Sequence, residues 1–158
     1  MMMLVGTIAK QEEPFWSADV EAIGLHTCGE SREDAAAMIK DAIDGLIDRQ
    51  GFEVTVMEAG PAGSDELTVL VVPNDPAPLA ACVLQYQRAR HGLSIDEVAV
   101  ALGSTAEEIA AYEDGSRQPT VCEYARLLSI VAPEMALAVG PRSTSLPVVR
   151  LAEPGRGY

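Results

Sequence analysis

The sequence predicts an α+β chain: an N-terminal β-sheet covered by one helix, followed by an all-helical C-terminal bundle. Three observations predict it. Residues 4–72 consist of β-prone runs interrupted by a single long stretch of helical periodicity. Residues 94–123 carry helix-starting signals in quick succession. A proline-rich hexapeptide, PNDPAP at 73–78, lies between the two regions.

Taken in order, LVGTIAK (4–10) is a β-prone run and QEEP (11–14) a polar turn. FWSADV (15–20) reads as a second strand, and so few polar residues separate the two that a hairpin is expected. LHTC (25–28) is a short third strand before Gly29. Ser31 then opens a helix, with Glu30, Glu33 and Asp34 at the positive end of its dipole. Ala35, Met38, Ile39, Ala42, Ile43, Leu46 and Ile47 form one apolar stripe, while Lys40, Asp41, Asp44, Asp48 and Arg49 face away. Such a helix covers a sheet, and Gly51 is its expected stop. FEVTVM (52–57) and LTVLVV (67–72) are two more strands, joined by a Gly/Pro-rich loop.

The proline-rich stretch 73–78 reads as a stiff linker between a sheet domain at 1–72 and a bundle at 79–139. Within the bundle, residues 79–90 form a helix ending at His91-Gly92. Ser94 begins S-I-D-E, Thr105 begins T-A-E-E and Thr120 begins T-V-C-E. In each, the hydroxyl can cap a helix while the glutamate three residues on reaches back to the cap nitrogen. Gly103 and Gly115 stand where the first two of these helices must stop. Short helices with such tight connections make a helix-turn-helix. The tail, 140–158, is rich in Pro, Gly and Arg and is expected to be disordered, with one β-prone patch at 146–151.

Composition narrows the function. The chain of 158 residues is 48% apolar, enough for real cores, yet has no apolar run long enough to span a bilayer. Its first residues lack a secretory pattern, so a cytoplasmic protein is expected. Cys28, Cys82 and Cys122 are far apart with no C-x-x-C, which argues against a disulfide framework. His26 and Cys28 have no second ligand pair, so neither a metal site nor a cofactor is expected. The net charge of −13 is uneven: −11 over residues 1–75, −4 over 76–140 and +2 over 141–158. The acidic N-terminal half suits a basic protein partner and argues against that half gripping nucleic acid.

Leu84, Arg88, Gly92-Leu93-Ser94, Val98-Ala99, Leu102-Gly103, Ile109, Tyr112-Glu113, Gly115 and Pro119 together resemble the phage-repressor type of helix-turn-helix, the Xre family. The resemblance implies that Arg88 and Glu113 are structural, bridging the first and third helices. It also implies that the third helix enters the major groove of operator DNA. The positions it assigns to DNA are Ser94, Thr105, Ala106, Glu107, Glu108 and Ala111, with Arg117 in the following loop. Two acids there are repelled by phosphate, although a glutamate can accept from cytosine.

Residues 24–35, GLHTCGESREDA, with the hairpin before them, are similar to the HicB-type antitoxin signature. That family implies a partial ribonuclease-H-like fold, in the order strand-strand-strand-helix-strand. Many members carry a C-terminal repressor-type domain. Two departures stand out. Prolines common in the family before Gly24 are replaced by DVEAI (19–23), and a hairpin spans 54–72 where one closing strand is expected. A ribonuclease-H-type sheet invites a search for clustered carboxylates that hold magnesium. Only Asp19 and Glu30 lie on or beside the early strands, and no nucleophile set or phosphate loop has context, so no enzyme is expected. The implied role is the antitoxin of a type II toxin-antitoxin module. It would mask a small basic RNA-cleaving toxin through Asp41, Asp44 and Asp48, and regulate its own operon as a homodimer or higher oligomer. The alternative is a stand-alone transcriptional regulator, or a dimeric scaffold, without a toxin.

Overall fold

A computed structural model describes residues 2–61 and 63–135. The element order is β1 (Leu4–Lys10), β2 (Trp16–Val20), a 3-10 turn (Glu21–Ile23), β3 (Leu25–Gly29), α1 (Arg32–Ile47), β4 (Val54–Ala59), β5 (Glu66–Pro73), α2 (Pro76–Arg90), α3 (Ile95–Leu102), α4 (Ala106–Asp114) and α5 (Val121–Val131). The chain is α+β, with a five-stranded sheet and, among the described residues, five α-helices.

The sheet is antiparallel throughout, in the order β3-β2-β1-β5-β4. The strand that follows α1 does not neighbour β1. It lies at the edge, and β5 fills the place between them, Leu4 opposite Val71 and Val54 opposite Pro73. Period-two alternation decides which residues are covered. Leu4, Ile8, Ala18, Val20, Val54, Leu67, Val69 and Val71 are buried, and Ala35, Ile39 and Ile43 of α1 lie over them. Alternate positions such as Val5, Thr7, Thr55 and Met57 are exposed on the opposite face, which no described helix covers.

Helix α1 starts as its residues dictate. Ser31 accepts from the Asp34 amide at 3.0 Å, and two acids follow in the first turn. Its end differs from expectation. The helix closes on Asp48, at φ 43°, rather than on Gly51, and the Asp48 amide donates to the Asp44 carbonyl at 2.9 Å. Aspartate tolerates this left-handed conformation better than most residues with a side chain, so the polar run Asp48-Arg49-Gln50 leaves the helix early.

The expected linker at 73–78 is mostly absorbed by its neighbours. Pro73 ends β5 and Pro76 begins α2, which leaves only Asn74 and Asp75 between them. Asp75 caps α2 by accepting from the Ala77 amide at 3.1 Å, and a proline at the first helical position lacks an N–H that would have had no partner. Asn74 ties the exit of β5 to the entry of β4: its side chain bonds the Glu53 amide and the Gly51 carbonyl, and its own amide donates to the Glu53 carbonyl.

The bundle is continuous with the sheet region. Helix α2 lies against the 3-10 turn, where the buried Gln87 amide donates to the Ala22 carbonyl at 2.9 Å. Tyr86 crosses Gly24, which sits at φ 63°, so closely that a Cβ there would stand 2.2 Å from the ring. Leu79, Val83 and Leu84 of α2 join one continuous core with Val98, Leu102, Ile109, Tyr112, Leu127 and Leu128. Pro133 and Glu134 form a turn after α5, and the Met135 amide donates to the Ala132 carbonyl. The rest of the bundle range to residue 139, and the 140–158 tail, lie outside the described residues.

Candidate functional site

The short helices α3, α4 and α5 are built by their caps. At Ser94 the capping box is complete: the hydroxyl accepts from the Glu97 amide at 3.1 Å, and the Glu97 carboxylate accepts from the Ser94 amide at 2.8 Å. Thr120 and Glu123 repeat it ahead of α5. The amide and hydroxyl of Thr120 hold the Glu123 carboxyl below the usual range. Gly103 and Gly115 close α3 and α4 in the left-handed region, at φ 74° and 78°.

The box expected at Thr105 is only half formed. Thr105 accepts from the Glu108 amide at 3.2 Å, but the Glu108 carboxylate does not return to the cap. It accepts from the Ser104 hydroxyl and from the Tyr112 hydroxyl at 3.0 Å, and it pairs with Arg117 Nη1 at 2.9 Å. Two hydroxyls and a cation outweigh one backbone amide. They hold the Glu108 carboxyl below its ordinary value, the Ser104 bond most strongly, then Tyr112 and the Arg117 charge. The Arg117 guanidinium also lies 5.8 Å from the centre of the Tyr112 ring.

Glu108 and Arg117, both assigned to DNA by the family resemblance, are therefore each other's partners. The outward side of α4 carries exposed Glu107 and Asp114, with Ala106, Ala110 and Ala111 half-buried between them. Asp114 is engaged locally, accepting from the Ser116 amide at 2.7 Å. Arg88 bridges α2 to α4: its Nε lies 2.5 Å and its Nη2 3.0 Å from the Glu113 carboxylate, and Nη1 donates to the Leu93 carbonyl at 2.9 Å. The bond to Glu113 raises the Arg88 pKa. Arg126 donates to the Leu102 carbonyl at 3.1 Å. Among the described residues, Arg90 is the bundle arginine with no ion pair and no side-chain hydrogen bond to a described group.

Asp41, Asp44 and Asp48 fall on α1 but are not equivalent. Asp41 and Asp48 are exposed. Asp44 is half-buried and accepts from Lys40 Nζ at 2.5 Å, a bond that raises the Lys40 pKa, with the charges of Glu53 and Asp41 adding to it. Beside these acids runs a groove of about 300 Å³ between α1 and β4, lined by Ala36, Ala37, Lys40, Val54, Thr55 and Val56. Sequence reasoning missed it, because the edge position of β4 depends on where β5 inserts. The only signal was the pair of alanines at 36 and 37, too common to read.

A second feature escaped as well. Asp19 and His26 stand opposite each other on β2 and β3, with the carboxylate on Nδ1 of the ring. They line a cleft of about 250 Å³ with Glu21, Gly24, Leu25, Tyr86 and Arg90, where β3 meets α2. Cys28 shares the exposed side of β3 with His26. Among the described residues no three His, Cys, Asp or Glu side chains are grouped as a metal ion would need, and no helix is long and apolar enough to cross a membrane. No family model, curated protein or solved structure matches the chain.

Proposed function

We propose that this chain is an antitoxin-type binding protein whose sheet module masks a small basic RNA-cleaving protein. The observation that carries the reading is the uncompensated acid of that module. Residues 1–75 hold a charge of −11, and Asp41 and Asp48 of α1 are exposed without an ion pair among the described residues. Asp48 stands at the C-terminal end of α1, where its charge faces the negative end of the helix dipole. Helix stability does not favour an acid there, and a cationic partner does. The order strand, strand, strand, helix, strand over residues 4–59 supports a partial ribonuclease-H-like module, with β5 as a departure from it.

The test is co-expression of the full chain with a short basic protein encoded beside its gene. The expected result is a complex that suppresses RNA cleavage and weakens at least tenfold in Asp41→Lys/Asp48→Lys. Absence of such a neighbour, or of binding to it, overturns the proposal.

The bundle is the proposed operator-binding arm, working in the cytoplasm as part of a homodimer, since repressor-type modules read paired half-sites. One observation favours a second reading, in which the bundle is a dimerisation or docking module. Arg88 and Arg117 are both ion-paired, and α4 presents Glu107 and Asp114 outwards. Every cation withheld from a phosphate lowers the salt slope of DNA binding by roughly one unit. A low-salt titration with the DNA upstream of the gene separates the readings, using wild type and Glu107→Gln/Glu108→Gln. Binding by either protein supports the operator arm, and binding by neither leaves the docking module.

A further inference from the structure

We infer that the edge of β4, unpaired among the described residues, is the docking site itself, and that it takes an extended, basic segment of the partner as a sixth strand. This rests on the proposed partner class and adds the mode of recognition. The register shows which backbone groups are on offer. Glu53 and Asn74 are joined through the Asn74 amide and the Glu53 carbonyl, one pair before Val54 opposite Pro73. In an antiparallel ladder hydrogen-bonded and non-bonded pairs alternate. Thr55, Met57 and Ala59 therefore spend their amides and carbonyls on β5, and Val54, Val56 and Glu58 turn theirs outwards. The same parity suits Pro73, which faces Val54 at a position that needs no N–H toward β4.

Nothing in β4 blunts this edge. The strand VTVMEA has no proline, and its glutamate is paired to Arg32 at 2.5 Å. The groove beside it is walled by the small side chains of Ala36 and Ala37 and by Val54 and Val56, which leaves room for alternate side chains of an added strand. Its rim is acidic: Lys40 Nζ is bonded to Asp44 at 2.5 Å, Asp41 and Glu53 are exposed, and the Asp44 bond with the charges of Asp44, Glu53 and Asp41 raises the Lys40 pKa. That charge selects the occupant. A second copy pairing β4 to β4 would bring two acidic rims together, whereas lysines or arginines alternating with apolar residues meet both the rim and the groove. Strand β3, the other edge, is shorter, and the cleft beside it carries the Asp19–His26 pair and Arg90 rather than an apolar wall of alanines and valines.

The experiment uses the full chain with an acetylated, amidated Lys-Val repeat of eight residues, and the same peptide N-methylated at alternate amides. Backbone amide exchange is followed by NMR. The expected result is slowed exchange at Val54, Val56 and Glu58 on adding the first peptide. The methylated peptide, equal in charge, should bind at least tenfold more weakly. Val56→Pro, which removes an outward amide from an edge strand, should lose binding, and Thr55→Lys, outside the bonded edge, should keep its fold and the protection pattern. Equal binding of both peptides, or protection elsewhere, overturns the inference. Slow exchange at Val54, Val56 and Glu58 in the free chain also overturns it: if concentration-dependent, the occupant is a second copy, and if not, residues 136–158 of the same chain. A basic partner that binds while these amides exchange freely overturns the docking mode and leaves the proposed function standing. Peptide docking on β4 with no basic partner encoded beside the gene supports the edge site and overturns the proposed function instead.

Discussion

Removing Arg88 should destabilise the protein more than any ordinary surface ion pair would. Its guanidinium makes two hydrogen bonds to Glu113 and one to the Leu93 carbonyl, and the two side chains are 18% and 9% exposed. Exposed pairs contribute about 0.2–1 kcal/mol, and breaking a fully buried one costs about 3–5. At this depth Arg88→Met should cost about 2–3 kcal/mol, because it strands the Glu113 carboxylate and frees the loop before α3. For a chain of this size that is a fall in Tm of about 5–10 °C. Glu113→Leu strands the guanidinium instead and should cost a similar amount. The double variant should cost less than the two together, by a coupling of about 1.5–2 kcal/mol. Urea unfolding of the four proteins gives each term. Additivity to within about 0.5 kcal/mol would refute the argument, since independent sites behave that way.

Other outcomes follow from the packing and the charges. Gly24→Ala should be destabilising, because φ is 63° and the new Cβ meets the Tyr86 ring. The cost should shrink in a Tyr86→Ala background, and an equal cost in both, by thermal melts, rules out the contact. Ile43→Ala, at a position with no exposure over the sheet, should cost about 2–5 kcal/mol in chemical denaturation, and a loss under 1 would mean that α1 is loosely seated. Glu108, Asp114 and Glu123 have folded-state pKa values held below their unfolded ones. Their contribution is full above about pH 4.5 and is lost as pH falls through the depressed folded values. In Glu108→Gln, stability measured by circular dichroism should be lower at pH 6 and should fall less steeply below pH 4. An unchanged acid limb would sever Glu108 from the stability of the bundle.

Much of the fold is determined by residues that act within a few positions of themselves. Ser31, Ser94 and Thr120 start helices because a hydroxyl reaches an amide three residues away, whatever lies beyond. The alternation in β1 and β5 divides covered from open faces in the same local way, but the stripe on α1 does so only in part: Ala35, Ile39 and Ile43 are buried while Met38 and Leu46 are exposed. Arg88 with Glu113 was readable only through a resemblance, since 25 residues separate them. What the chain does at a distance had to come from the tertiary structure. The order of strands depends on which edge β5 reaches once β4 has turned, and nothing in VTVMEA says that it will be an edge. Glu108 carries the same capping signal as Glu97 and Glu123, yet Ser104, Tyr112 and Arg117 converge on it only after α4 has packed and the following loop has folded back. The proline-rich stretch read as a linker because proline is ambiguous in sequence. It ends a strand as readily as it opens a helix, and only the hydrogen bonds of Asn74 and Asp75 decide that here it does both.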